Sequence, residues 1–196
     1  MRKTFTLLLA ATAGYVSDGS KKVYTFESLS KIDTSGVKKV DGAYVVNEAI
    51  SIAYGDTLRL QNGDVVKLAD GVQVNIDGYA DLTPSDTATV TRSAADAQPK
   101  GFRIYGDNAS AVLKNVTFEY AGVAFGSDNG NLKADNCTFS YYNGKQVSAA
   151  ALNFSRSSVG NEVTNCRFIE STTGALGNGA NVPIGIVVKN NYFYHN

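Results

Sequence analysis

The chain has 196 residues, 43% of them hydrophobic and 18% charged, with 18 Lys+Arg against 18 Asp+Glu. This composition suits one folded domain or two and excludes a disordered chain. Zero net charge excludes the basic field that nucleic-acid binding requires, so no nucleic-acid partner is expected.

Residues 1–13 read as an export signal. Arg2 and Lys3 start the chain, an apolar run begins at Phe5, and Ala11-Thr12-Ala13 offers a small-x-small cleavage site. The run is too short to span a bilayer as a helix, and no other stretch is long enough. The expected location is secreted or at a bacterial cell surface. Residues 14–49 read as a linker and N-terminal cap, with residues 17–22 polar and flexible. Tyr24, Phe26, Leu29 and Ile32 mark one side of a short helix, or a strand with a turn. Ala43-Tyr44-Val45-Val46 reads as a strand. A solenoid exposes its core at each end, and such a segment serves as a lid.

From Ile50 the texture changes to short alternating runs closed by turns. Leu58 and Leu60 precede Asn62-Gly63, Val66 and Leu68 precede Asp70-Gly71, and Val74 and Ile76 precede Asp77-Gly78. These turns also suit hairpins, so an antiparallel sandwich is the rival architecture for this portion. Residues 81–100, rich in Ser, Thr, Ala and Asp, read as a surface excursion. Phe102 and Ile104 then lie on one face of a resumed strand.

Four later segments are nearly the same: Asn115-Val116-Thr117-Phe118, Asn136-Cys137-Thr138-Phe139, Asn165-Cys166-Arg167-Phe168 and Asn190-Asn191-Tyr192-Phe193. They start 21, 29 and 25 residues apart. A period in the twenties with a fixed strand-like segment marks a chain winding around one long core. Side chains alternate across a strand, which puts the second and fourth positions inside and Thr117, Thr138, Arg167 and Tyr192 outside. Leu113, Ala134, Val163 and Val188 precede each Asn by two, so Asn115, Asn136, Asn165 and Asn190 sit at corners between strands. Asn tolerates the left-handed conformation that such a corner needs, and stacked Asn side chains can bond along the column. Cys137 and Cys166 then stack on neighbouring strands about 4.8 Å apart. Their parallel side chains suit a disulfide poorly, so two buried, unbridged thiols are expected. No His or third Cys accompanies them, and neither a metal nor a cofactor is expected. Gly174-Ala175-Leu176-Gly177-Asn178-Gly179 reads as a flexible loop.

These Asn-x-x-Phe corners resemble the right-handed parallel β-helix repeats of the pectate-lyase-like superfamily. The run from Gly55-Asp56-Thr57-Leu58 to Asp77-Gly78 is similar to the first coils of secreted and surface β-helix proteins of Bacteroidetes type. The resemblance covers residues 50–196 and implies an all-β, right-handed parallel β-helix with an N-terminal cap. Enzymes of that superfamily act on acidic polysaccharides through an Arg or Lys base, Ca²⁺-binding carboxylates or paired Asp. None of those motifs occurs here, so no catalytic residue carries over to a position of this chain.

The candidate ligand face consists of outward Tyr and cationic residues: Tyr120, Tyr141, Tyr142, Arg167, Lys189 and Tyr192. Such groups suit sugar stacking and carboxylate pairing, although Tyr and Thr are common on any exposed strand. The expectation is a non-catalytic secreted or surface scaffold that contacts a polysaccharide or other glycan. The alternatives are a lyase or hydrolase with its catalytic residues on missing coils, or an adhesin-like module. The fourth repeat ends three residues before Asn196, which reads as a C-terminal truncation with downstream coils or domains to follow.

Overall fold

The computed structural model describes residues 14–144, 150–156, 159–179 and 185–196. The export signal expected over residues 1–13 lies outside them. The chain forms a parallel β-solenoid of about 6 turns, with almost no helix. Each full turn places a strand in each of three sheets. Sheet I stacks Val23–Thr25, Thr57–Arg59, Tyr79–Leu82, Ser110–Lys114, Leu132–Asp135, Asn161–Thr164 and Ile186–Lys189. Sheet II stacks Val37–Val40, Ala43–Val46, Val65–Leu68, Ala88–Arg92, Val116–Glu119, Thr138–Ser140, Arg167–Ile169 and Tyr192–Tyr194. Sheet III stacks Ile50–Ile52, Gln73–Ile76, Gly101–Tyr105, Val123–Gly126, Ala150–Phe154 and Gly174–Asn178.

Every pairing between these strands is parallel except that of Val37–Val40 with Ala43–Val46. The rival sandwich for the Asn-Gly and Asp-Gly stretch is therefore excluded. Those dipeptides turn the chain from one sheet to the next. Parallel rungs also begin ahead of Ile50, because Val23–Thr25 pairs with Thr57–Arg59 and Ala43–Val46 with Val65–Leu68. Residues Phe26–Leu29 form a single helical turn capped by Thr25, and they bury Phe26 and Leu29. Among the described residues no helix is long and apolar enough to cross a membrane.

The repeats behave as their alternation dictates. Val116, Phe118, Cys137, Phe139, Cys166 and Phe168 are all buried. The rings of Phe118, Phe139, Phe168 and Phe193 stack with centroids 5.0–5.1 Å apart and planes within 7° of parallel. Phe193, expected inside, is 48% exposed, because no described coil lies over it. The two cysteines are unbridged and buried. The neighbouring Cys166 sulfur, and then burial, push the Cys137 thiol well up, so it packs as a neutral group.

All four corner Asn adopt the left-handed conformation, with φ between 50° and 57°. Their side-chain column is only partly continuous. Asn136 Nδ2 donates to Asn115 Oδ1 at 2.8 Å, and Asn115 Nδ2 donates to the Pro84 carbonyl at 3.0 Å. Asn165 Nδ2 instead donates to Asp135 Oδ1 at 2.7 Å. Asn191, at an inward position, accepts from the Cys166 N–H at 2.8 Å and donates to the Val163 carbonyl at 2.8 Å.

A second left-handed column lies five residues after each Asn. Tyr120, Tyr141, Glu170 and His195 have φ of 59°, 59°, 52° and 49°. None is a usual turn former, and the conformation costs such residues about 1–2 kcal/mol. The ladder holds it in place. The N–H groups of Tyr120, Tyr141 and Glu170 donate to the next coil at 2.9, 3.0 and 2.9 Å.

Three segments depart from their sequence readings. Residues 17–22 are not loose. The buried Asp56 carboxylate accepts from Ser17 Oγ at 2.5 Å and from the N–H groups of Gly19 and Lys22 at 2.9 Å each. Residues 81–100 are not wholly an excursion, since Ala88–Arg92 is a sheet II strand with Ala88 and Val90 buried. The glycine-rich Gly174–Asn178 is a strand, because Ala150–Phe154 supplies a full parallel partner. Tertiary pairing overrides weak local propensity there.

Two stability outcomes follow from this arrangement. Phe139→Ala removes the middle of the ring stack and should cost about 3–5 kcal/mol in urea unfolding. Burial works to raise the Asp56 carboxyl, but bonds from Ser17, Lys22 and Gly19 outweigh it and hold it below its ordinary value. The stability it supplies is therefore complete above the ordinary aspartate range, near pH 4, and is lost as pH falls through the lowered value. Asp56→Asn should remove that part of the acid dependence and cost about 1–3 kcal/mol at neutral pH. Unfolding curves of both proteins across that range provide the check.

Candidate functional site

The six residues of the expected ligand face do not form one surface. Tyr142 is fully buried, with its ring against Gly122, where an added Cβ would lie 2.7 Å from Tyr142 Cε2. It belongs to the core, because the chain turns inward after the left-handed Tyr141. Tyr120 and Tyr141 stack at 5.2 Å along the sheet II edge, and Arg92 covers Tyr120 with its Cζ 3.7 Å from the ring centroid. Arg167 and Tyr192 lie at the opposite end of sheet II, beside the Asn corner, with Arg167 Cζ 5.3 Å from the Tyr192 ring. Lys189 ends the adjoining sheet I strand, just before that corner.

The outer face of sheet I is closed by its own charges. Arg59 and Asp81, Lys133 and Glu162, and Lys114 and Asp135 are register partners on successive rungs, at 2.7, 2.9 and 3.9 Å. On sheet II the middle of the outward column is threonine, Thr89, Thr117 and Thr138, between Val65 at one end and Arg167 and Tyr192 at the other.

Sheet III carries a different cluster. Arg103 and Tyr105 alternate with the buried Phe102 and Ile104, so both point outward. The Arg103 guanidinium carbon lies 4.0 Å from the Tyr105 ring centroid, and that of Arg156 lies 4.4 Å from the same ring. Gly126 makes this packing possible. It is the register partner of Tyr105, and a Cβ there would lie 2.3 Å from Tyr105 Cε2. Arg156 Nη1 bonds Asp107 at 2.8 Å and Asp128 at 3.2 Å, clamping three successive coils. The Asp107 carboxylate, and then Tyr105, hold Arg156 above its already high ordinary value.

Arg103 has no ion-pair partner among the described residues. Its register neighbours are Asn75 and Ala124, neither of them charged. It lines a hollow of about 410 Å³ with Tyr54, Asp77, Tyr105, Asp107 and Asn108. A second hollow of about 230 Å³ shares Tyr54 and Asn108 and runs around the corner towards Tyr79 and Ser110. Tyr54 is 66% exposed, which leaves a ring face open. A guanidinium fork, carboxylates, an amide and an open ring are the groups that pair with hydroxyls and pack against the C–H face of a sugar.

The alternation of Phe102 and Ile104 implied an outward Arg103 and Tyr105. Nothing local linked them to Tyr54 or Arg156, which lie about two coils away along the chain. Among the described residues no group of three or more His, Cys, Asp or Glu is placed to hold a metal.

No protein-family model matches this chain, no curated protein matches it, and no solved structure matches it.

Gly126→Ala should force the Tyr105 ring off its seat and destabilise the fold by about 1–3 kcal/mol. Its direct signature would be displaced Tyr105 ring resonances in NMR spectra, with the Phe125 and Phe154 core signals retained.

Proposed function

We propose that the chain is a non-catalytic scaffold of the pectate-lyase-like β-helix type, secreted or displayed at a bacterial cell surface, that contacts a glycan. The observation that carries this reading is Arg103. It is stacked on Tyr105, has no charge partner among the described residues, and faces the hollow next to the exposed Tyr54. Tyr120 and Tyr141 at one end of sheet II, and Arg167, Tyr192 and Lys189 at the other, lie apart from this hollow and are separate contact points of the same proposal. The in-register rungs favour a display role, since they hold these side chains on a rigid surface. The Asn-x-x-Phe corners support the superfamily reading, and Arg2, Lys3 and the apolar run after them support export.

Two measurements test this proposal. A glycan array with the wild type, Tyr54→Ala and Arg103→Ala should show binding that falls about tenfold in each variant, equivalent to about 1.4 kcal/mol. Unchanged binding in both would remove the hollow from the reading. Incubation with pectin, alginate and chondroitin should yield no unsaturated product by ultraviolet absorbance. Product from pure protein would favour the lyase alternative.

A further inference from the structure

We infer that the sheet III hollow takes an uncharged sugar and discriminates against uronate-bearing chains. The inference rests on the glycan reading above and narrows it. The resemblance to pectate-lyase-like proteins implies acidic polysaccharides, and the charges around this hollow oppose them.

Two carboxylates and one guanidinium group line the site, and Arg156 with Asp128 adjoins it through the Asp107 ion pair. Asp77 and Asp107 line it directly with Arg103, and Asp128 stands beside it on the next coil. Arg156 is committed to Asp107 and Asp128 and is the less accessible partner. Its side chain is 28% exposed, against 75% and 55% for the two aspartates. A ligand therefore meets carboxylate oxygens before it meets the Arg156 charge. The Asp77 side chain is exposed and has no hydrogen-bond partner among the described residues.

A uronate in this space would gain one guanidinium, Arg103, and face at least two like charges. Like charges at close range oppose binding. A neutral sugar avoids that conflict. Its hydroxyls donate to Asp77 and Asp107 and accept from Arg103, while its C–H face packs on Tyr54. Hydroxyls are both donors and acceptors, so the mixture of groups is complementary to them. The volume of about 410 Å³ lies at the small end of ligand clefts, roughly 300–1,000 Å³, and admits a short stretch of chain.

The test is calorimetry on the full chain with matched oligosaccharides. Neutral cello-, xylo-, manno- and N-acetylchito-oligomers are compared with oligogalacturonate and oligoguluronate. At least one neutral oligomer should bind at least tenfold more tightly than either uronate oligomer. Arg103→Ala and Asp77→Asn should each weaken it about tenfold, with unchanged unfolding temperatures showing that the fold is intact. Tyr54→Ala, at an exposed position, provides a third variant should either of the others lose structure. Tighter binding of a uronate would overturn the inference and leave the glycan reading standing. Neutral binding indifferent to all three substitutions would also overturn it. Binding of no sugar of either class would bring down the glycan reading itself.

Discussion

In a parallel rung each side chain lies directly over its counterpart one coil below, about 4.8 Å away. This spacing rewards positions where like stacks well on like. Four Phe rings stack nearly flat, three Thr form an outer column, and Asn115 and Asn136 bond each other along the axis. The same spacing penalises charge upon like charge. The outward cations of sheet I accordingly meet carboxylates on the next rung. Arg103 on sheet III, like Arg167 on sheet II, departs from that pattern: its rung neighbours are uncharged, and its own strand supplies the tyrosine beneath it.

The rungs also fix where the chain bends. Two left-handed corners bracket each Asn-x-x-Phe strand, and only the first is occupied by a residue that favours the conformation. The second is held by ladder hydrogen bonds and, at Tyr120, by stacking from Tyr141 above and Arg92 below. Strain at one corner is thus offset by order along the column. It leaves a ridge of Tyr, Tyr, Glu and His along one edge of the solenoid.

The features legible in the sequence were those encoded locally. Corner Asn and inward Phe announce themselves by backbone preference and alternation, and all four Asn and the first three Phe fall where the pattern places them. What was missed depends on partners a coil or more away. Tyr142 is buried because Gly122 clears space for it. The Gly174–Asn178 strand exists because Ala150–Phe154 offers an edge. The second corners carry no turn-forming residue to betray them. The sheet III cluster draws Tyr54, Arg103 and Arg156 from three separate stretches, and its assembly depends on the small Gly126.

The Asp56 knot bears on the order in which the protein is made. Its four participants, Ser17, Gly19, Lys22 and Asp56, all belong to the first coil and the strap leading into it. They precede the four Asn-x-x-Phe repeats along the chain. Each later rung pairs with the one synthesised just before it, so every new contact spans only one coil of chain. A nucleus tied at the leading end and extended by neighbour contacts suits vectorial assembly. The polymer can zip shut from its first coil onward, with each finished coil serving as the template for the next.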